Sequence, residues 1–340
     1  MAWKYRSLFC FTLAHFLVDF TCAYLVFSQT AGSSFFYTGL FLYNFCAFAL
    51  QMPLGVLADR FRRGGRISAL GCIFLAFPLF LLLPAPAMIL LAGTGNALFH
   101  LGGGISVLQQ NPGRCTEPGI FVSSGALGIY LGTLAGNAKG IPGWPQAAGL
   151  ICFAAIFLLL PEHRTAFHRQ LPAQPPKPAP LVLPFLFLTL VVCIRSFLGL
   201  IQIFEWKTES SLALAAVLAT VGGKALGGIF SDRFGSLRTV IGSLAAASVL
   251  FLLSSAPLPG LLAVLLFNMT MPITLTALVR LFPGHPGFCF GVLTFALFLG
   301  FLPPYLGLRF AETLPLLYAA LSLVSLLFMA AAWKLRRWRR

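Results

Sequence analysis

Long apolar stretches alternate with short polar connections along almost the whole chain of 340 residues. A helix that crosses the hydrocarbon core of a bilayer needs about 20 predominantly apolar residues. About twelve stretches meet this requirement. They predict membrane-spanning helices near residues 8–28, 35–57, 67–84, 86–107, 117–138, 144–161, 181–204, 209–231, 239–256, 258–281, 287–308 and 312–333. The pattern therefore predicts an all-α integral membrane protein.

One long polar break interrupts this pattern, the segment "PEHRTAFHRQLPAQPPKPAP" from Pro161 to Pro180. Its Pro-rich end forms no stable helix and is typical of a semi-rigid linker. Six predicted spans lie on each side of the break. We therefore predict an N-terminal six-helix bundle over residues 1–160, a linker over 161–180 and a C-terminal six-helix bundle over 181–340.

Composition and charge place the chain in a membrane and orient it. The chain is 59% hydrophobic and 9% charged, whereas a soluble domain carries about 25% charged residues. Its net charge of +15 is uneven: with a cytoplasmic N-terminus, the opposite face holds little more than Lys139, Lys207 and Arg309. This asymmetry follows the positive-inside rule. It predicts cytoplasmic termini and a cytoplasmic linker in the plasma membrane, which is the inner membrane of a bacterium, and argues against nucleic acid as a partner.

The eight cysteines are scattered, mostly inside predicted spans, and form no Cys-x-x-Cys pair. Such an arrangement indicates neither a disulfide framework nor a zinc site. We expect no metal and no cofactor.

A short polar pattern occurs twice, as "GVLADRFRRGGR" after the second predicted span and "GGIFSDRFGSLR" after the eighth. The two aspartates are 232 − 59 = 173 residues apart, about half the chain. The same offset pairs Gly55 with Gly228, Asp59 with Asp232 and Arg60 with Arg233, and brings Asn96 within one position of Asn268. This register indicates an internal duplication of a six-span unit, as found in some secondary transporters.

The duplicated pattern resembles the loop signature of the major facilitator superfamily, roughly G-x-x-x-D-R-x-G-R after the second span with a weaker copy after the eighth. The resemblance implies two six-helix pseudo-repeats around a central cavity. A Gly at this place allows close helix approach, and an Asp at a helix end can pair with Arg or with the positive N-terminus of a facing helix. We therefore expect a conformational latch, the latch residues being Gly55, Asp59, Arg60, Gly228, Asp232 and Arg233.

Several shorter motifs resemble the fosmidomycin-resistance branch of that superfamily. They are "AHFLVDF", "GNALFHLGGG", "CIRSF", "NMTMPITL" and "FPGHPG". Leu101 stands where that branch has Pro after His100. Gly128, Gly132 and Gly136 in the fifth span resemble the glycine-rich signature of proton-driven antiporters, without its Pro, and suit plain helix packing equally well. The resemblance implies proton-coupled export of a small organic anion or drug-like compound.

Ionisable residues inside predicted spans are the primary site candidates, because each costs about 2.5–3.5 kcal/mol at mid-span. His15 and Asp19 share one helix face at i, i+4 and suit proton binding. The planar guanidinium of Arg195 suits a carboxylate or phosphonate. The five substrate- or proton-binding candidates are His15, Asp19, His100, Arg195 and Lys224. For each a plainer interpretation stays open, such as a structural hydrogen bond, or snorkelling of Lys224.

Four polar residues are secondary candidates. Gln51 is the repeat partner of Lys224, since 224 − 173 = 51. Asn96 and Asn268 correspond within one position, and Glu205 lies near one end of the seventh span, as expected for a rim or gate.

Asp19 and Arg195 lie on the first spans of the two repeats, which line the cavity in the superfamily. We predict that they form a coupled pair, because an unpaired charge in a closed cavity costs several kcal/mol. A proton or an anionic substrate would break this pair.

The leading functional hypothesis is a monomeric, non-enzymatic secondary transporter that moves a small solute by alternating access with the proton as coupling ion. Uptake by proton symport requires the same residues as export. A different class is an intramembrane lipid-modifying enzyme that uses His15, His100 and Asp19. Against it, the sequence has no metal-ligand cluster, G-x-S-x-G elbow or P-loop. A third hypothesis is an uncoupled scramblase or receptor, and counterflow of solute separates the first hypothesis from the others.

Overall fold

The computed structural model describes residues 2–61, 63–138, 140–160, 181–306, 308 and 315–336. These residues are almost entirely helical, as expected where no water is available to pair with backbone groups. The helices before the predicted linker are α1 (Ala2–Thr30), α2 (Phe36–Asn44), α3 (Gln51–Phe61), α4 (Gly64–Phe80), α5 (Ala85–Gln110), α6 (Thr116–Ser123), α7 (Gly125–Ala138) and α8 (Trp144–Leu159). Those after it are α9 (Val182–Ile201), α10 (Ser210–Phe234), α11 (Ser236–Leu252), α12 (Pro257–Asn268), α13 (Thr270–Leu281), α14 (Pro286–Tyr305) and α15 (Pro315–Arg336).

Each of the twelve predicted spans coincides with a helix or a pair of consecutive helices. Nine stretches of the described chain are helical, apolar and long enough to cross a membrane, and α4, α8 and α11 are shorter apolar helices. Three of the nine contain a local irregularity: a π-helical turn at Phe45–Ala49 joins α2 to α3, and short breaks separate α6 from α7 and α12 from α13. The prediction of an all-α protein with multiple helical membrane spans is confirmed.

Helix ends differ from the predicted span boundaries by a few residues, as the third and seventh spans illustrate. The third span was expected over 67–84, but α4 ends at Phe80. Leu83 precedes Pro84, and a residue before proline is disfavoured in helical conformation. The seventh was expected to reach 204, but α9 ends at Ile201 and a 3₁₀ turn follows at Glu205–Thr208. The linker predicted over 161–180 lies outside the described residues.

The described residues divide into two compact units. Unit 1 contains α1–α5, α7, α8 and the beginning of α14, as far as Phe295. In this unit α1 packs against α7 and α5, and α4 packs against α5 and α8. Glycines permit the close approach of these helices. A Cβ at Gly71 would collide with the backbone of Phe99, and one at Gly132 with the carbonyl of Phe20.

Unit 2 contains α6, α9–α13, the part of α14 from Ala296, and α15. Here α10 packs against α6, α12 and α13, and α15 packs against α9 and α11. Relative to the sequence halves, residues 113–123 and 284–295 are exchanged between the units. The bundles predicted over 1–160 and 181–340 stay a prediction.

Candidate functional site

Four polar side chains meet where α1 crosses α5 in unit 1. His15 and Asp19 are one turn apart on α1, and Asn96 and His100 are one turn apart on α5. Residues four apart lie on the same helix face, so each helix presents two polar groups to the other. The cluster is almost sealed: 5% of the His15 side chain, 9% of Asp19 and 13% of His100 is exposed. We call these four residues the histidine cluster.

Asp19 is the centre of the histidine cluster. Its Oδ1 accepts a hydrogen bond of 3.0 Å from Nδ2 of Asn96. Its Oδ2 lies 3.2 Å from Nε2 of His15, and its Oδ1 lies 3.5 Å from Nε2 of His100. Hydrogen-bond donors around a carboxylate favour its ionised form. The two histidines are therefore placed as partners of a negative charge.

The two imidazoles also contact each other. Nε2 of His15 lies 2.8 Å from Nε2 of His100, and the rings are nearly perpendicular at 88°. Nδ1 of His100 lies 2.9 Å from the backbone carbonyl oxygen of Asn96. A carbonyl oxygen only accepts hydrogen bonds, so this Nδ1 carries a hydrogen and Nε2 of His100 faces the cluster.

Gly125, the first residue of α7, completes the surroundings of the histidine cluster. A Cβ at this position would collide with Oδ2 of Asp19 and would approach Nε2 of His15. Gly128, Gly132 and Gly136 continue the contact between α7 and α1, since a Cβ at each would collide with or crowd the backbone of α1. The glycines that resembled an antiporter signature thus bring α7 onto the helix that carries His15 and Asp19.

Arg195 forms a second polar site, in unit 2. Its Nη1 donates to Oγ1 of Thr270 at 3.2 Å and its Nη2 to Oγ1 of Thr274 at 3.4 Å. The residue is 7% exposed, and its Nε is buried without a hydrogen-bond partner. No carboxylate of the described residues lies within 4.0 Å of this guanidinium. A buried cation in this state is suited to receive an anion.

The structure places Asp19 and Arg195 in different units, each with hydrogen-bond partners inside its own unit. Their pairing stays a prediction. Thr270 and Thr274 were not selected from the sequence, although "TMPIT" repeats a hydroxyl at i, i+4. Gly125 was also missed, although it directly precedes the noted glycine stripe.

Lys224 and Gln51 occupy equivalent places in their units. A Cβ at Gly119 would lie 2.7 Å from the carbonyl oxygen of Lys224, and one at Gly291 would collide with that of Gln51. The Gln51 side chain is buried, and its Oε1 has no hydrogen-bond partner. The Lys224 side chain is half-buried. Both positions therefore lie where two helices cross closely.

The remaining secondary candidates are not brought to either site by a hydrogen bond. Asn268 donates from Nδ2 to the carbonyl of Val264, one turn earlier in α12. Glu205 is exposed in the connection between α9 and α10. In that connection, burial lowers the pKa of the Lys207 ammonium, whose Nζ lies 5.6 Å from the centre of the Phe204 ring.

The two latch aspartates each bind the first turn of another helix. Asp59 accepts from the backbone N–H groups of Gly287 and Phe288 in α14, at 2.7 and 2.8 Å. Asp232 accepts from the N–H groups of Cys115 and Thr116 at the start of α6, both at 2.9 Å. Each contact uses a helix N-terminus, whose positive dipole end attracts a carboxylate. Asp232 also pairs with an arginine, since Nε of Arg114 lies 3.7 Å from its Oδ2.

These contacts repeat the internal duplication in space. The helix starts differ by 287 − 115 = 172 residues, against 173 for the aspartates. The crossing glycines obey the same offset, because 291 − 119 = 172. Each repeat thus supplies a carboxylate to a helix of the other repeat. The exchanged segments 113–123 and 284–295 contain the two helix starts.

No protein-family model matches the chain, and a search of curated proteins found no match. Solved structures do match. The E. coli fucose:proton symporter FucP superposes with a TM-score of 0.67 at 12% identity, over 96% of this chain and 98% of that one. A structure of FucP in an outward conformation gives 0.65 at 13% identity, over 95% and 99%. The proton:xylose symporter XylE gives 0.62 at 14% identity, over 96% of each chain.

At 12–14% sequence identity, structural similarity shows a shared fold. The chain has the fold of the major facilitator superfamily transporters over about 96% of its length. The prediction of a major facilitator fold is confirmed. The narrower resemblance to the fosmidomycin-resistance branch has no support from the comparisons.

Proposed function

We propose that this protein is a secondary active transporter that moves a small organic anion by alternating access and couples this movement to protons. The observation that carries the proposal is a buried ionisable site in each unit of a major facilitator fold. Unit 1 holds the histidine cluster and unit 2 holds Arg195. A charge buried in the membrane is costly and marks a pathway or a relay by default.

Arg195 supports an anionic substrate. Guanidinium groups have five N–H donors in a fixed fork, and two of those of Arg195 contact threonine hydroxyls at 3.2 and 3.4 Å. Both threonines donate their own hydroxyl hydrogens to backbone carbonyls of the same segment. Their oxygens therefore act as acceptors and orient the fork, while Nε and its remaining donors are left for a carboxylate or phosphonate.

The histidine cluster supports the proton as coupling ion. Histidine is the side chain whose charge changes most readily near neutral pH. The similar structures also belong to proton-coupled proteins, FucP and XylE, which are named as proton symporters with fucose and xylose.

For the direction of transport we propose export in exchange for protons, on the resemblance of the first and fourth spans to the fosmidomycin-resistance branch. Uptake by proton symport is the second candidate, favoured by the symport of FucP and XylE. Vesicles of known orientation with an imposed pH gradient discriminate the two. Movement of the solute in the direction opposite to the protons indicates export in exchange for protons. Movement of the solute in the same direction as the protons indicates uptake by symport.

The test starts from a thermal-shift screen of small carboxylates and phosphonates, including fosmidomycin, on purified protein, because a ligand of the folded state raises its apparent stability. Compounds that raise the melting temperature are then tested for counterflow in proteoliposomes. Movement of lipid without counterflow of any compound would indicate a scramblase and overturn the proposal.

Arg195→Ala should abolish both the thermal shift and counterflow of an anionic compound, since it removes the cation that holds the anion. Arg195→Lys keeps the charge but loses the fork, so it should retain weaker binding. Glu209→Gln, at an exposed carboxylate before α10, is the control. Full binding by Arg195→Ala would exclude Arg195 from the substrate site.

A further inference from the structure

We propose that the coupling proton is carried as a single positive charge shared by His15 and His100, while Asp19 stays ionised as its fixed counter-charge. The inference deepens the proposed function and rests on it. It differs from the interpretation that the sequence favours, in which Asp19 itself takes up the proton.

The positions of the hydrogens follow from the contacts. Nδ1 of His100 carries a hydrogen because it faces the carbonyl of Asn96 at 2.9 Å. The two Nε2 atoms are 2.8 Å apart, which is hydrogen-bond distance, so one hydrogen lies between them. A second extra proton would make both imidazoles cationic, with their Nε2 atoms 2.8 Å apart and a single carboxylate, Asp19, beside them. The pair can therefore hold one extra proton but not two.

The proton-loaded form balances the charge of the site. With one extra proton, both Nδ1 atoms and the shared Nε2 position carry hydrogens, and the imidazole pair has a charge of +1. The Asp19 carboxylate, held by Asn96 at 3.0 Å and facing both imidazoles, supplies the opposite charge. Loss of the proton would leave a buried carboxylate without a cation, which is strongly unfavourable. Deprotonation thus drives the site toward hydration or toward another cation.

The other titratable groups near the site cannot replace the histidines. Cys22 of α1 is hydrogen-bonded to Asn96 at 3.5 Å and to Tyr43 of α2, and Cys72 of α4 lies close to Cys22. Thiols and phenols become anions or stay neutral and never carry a positive charge. On the side of α7 the cluster meets Gly125, which has no side chain. Besides the Asp19 carboxylate, the two imidazoles are therefore the bases that can take up a proton among these groups.

A direct test reads the imidazole nitrogens of protein labelled with ¹⁵N-histidine. The chain has five histidines. The signals that do not belong to His15 and His100 are assigned by their disappearance in the variants His163→Gln, His168→Gln and His285→Gln. On acidification, the His15 and His100 signals should shift together in one step that corresponds to uptake of one proton. Two separate steps with two protons bound, or a protonated Asp19 carboxyl seen by infrared spectroscopy, would overturn the inference.

Transport supplies the second test. His15→Gln and His100→Gln should lose accumulation driven by a pH gradient to a much greater extent than they lose solute counterflow. Asp19→Asn removes only the counter-charge and leaves both imidazoles, so its coupling to the pH gradient should persist. His168→Gln is the matched control. If both histidine variants still accumulate solute as the wild type does, or if Asp19→Asn abolishes all pH dependence, the inference is wrong. If the wild type moves no solute at all, the proposed function fails, whereas the ¹⁵N result stands by itself.

Discussion

At the scale of single residues, the two sites differ in the partners that surround their buried charge. Asp19 has nitrogen atoms of Asn96, His15 and His100 around its carboxylate at 3.0–3.5 Å. Arg195 has two neutral hydroxyl acceptors and an unpaired Nε. Asp19 faces imidazoles that can carry a positive charge, whereas Arg195 contacts neutral hydroxyls. This difference is why we assign the proton to the first and the substrate to the second.

Gly125 makes the first site sensitive to a single methyl group. Gly125→Ala places a Cβ against Oδ2 of Asp19 and near Nε2 of His15. Overpacking of this kind costs about 1–3 kcal/mol, so we expect a lower apparent melting temperature and weaker proton coupling. Gly242→Ala is the control, because nothing lies within 4 Å of its Cβ position. Equal melting temperatures and coupling of the two variants would contradict the assigned role of Gly125.

At the scale of elements, the helix N-terminus is the recurring binding partner. α14 and α6 each begin with backbone N–H groups that face a carboxylate from another helix. Near each contact the helices cross at glycines, where a Cβ at Gly55 would collide with Gly287 and one at Gly228 with Cys115. Such contacts form only when the helices lie close together. They are therefore suited to bias one conformation over another.

Asp59→Asn should impair transport more than it impairs folding. The amide still accepts a hydrogen bond, but the charge–dipole attraction of about 0.3–1 kcal/mol, up to about 2 when partly buried, is lost. The loss shifts a conformational equilibrium and leaves the helices intact. We expect a lower initial rate of transport at matched expression and a similar melting temperature. Wild-type rates in both Asp59→Asn and Asp232→Asn would reject the latch.

At the scale of the whole molecule, the chain has two general features, an internal duplication and an uneven distribution of Lys and Arg. The repeat offset of 173 residues in the sequence returns as an offset of 172 in the helix starts and crossing glycines. An even number of spans places both termini on one side of the membrane. From the excess of Lys and Arg we predict that this side is the cytoplasm.

Cysteine labelling in intact cells tests the topology. We predict that an impermeant thiol reagent labels Ser34→Cys, in the exposed connection between α1 and α2, but not Gln174→Cys in the linker. Both are made in a Cys152→Ser background, because Cys152 is exposed. After permeabilisation Gln174→Cys should react. Labelling of Gln174→Cys from outside would invert the orientation.

The sequence by itself determined the spans, the duplication and the candidate residues of both sites. Apolar runs of bilayer length must be helices, because their backbone groups have no other partners. Ionisable residues inside such runs stand out, because each is costly. His15 and Asp19 were recognised as neighbours because their spacing of four residues is a local property of a helix.

Only the tertiary structure decided which residues from distant segments meet. It brought Asn96 and His100 to His15 and Asp19, and it placed Thr270 and Thr274 beside Arg195. It also packed Gly125 so closely against Asp19 that there is no space for a Cβ. These contacts depend on how helices cross and on how closely glycines let them approach, and neither follows from the periodicity of one helix. The helix that binds Asp59 was decided in the same way: the sequence did not indicate which helix N-terminus faces this aspartate, and packing brought the start of α14 to the carboxylate.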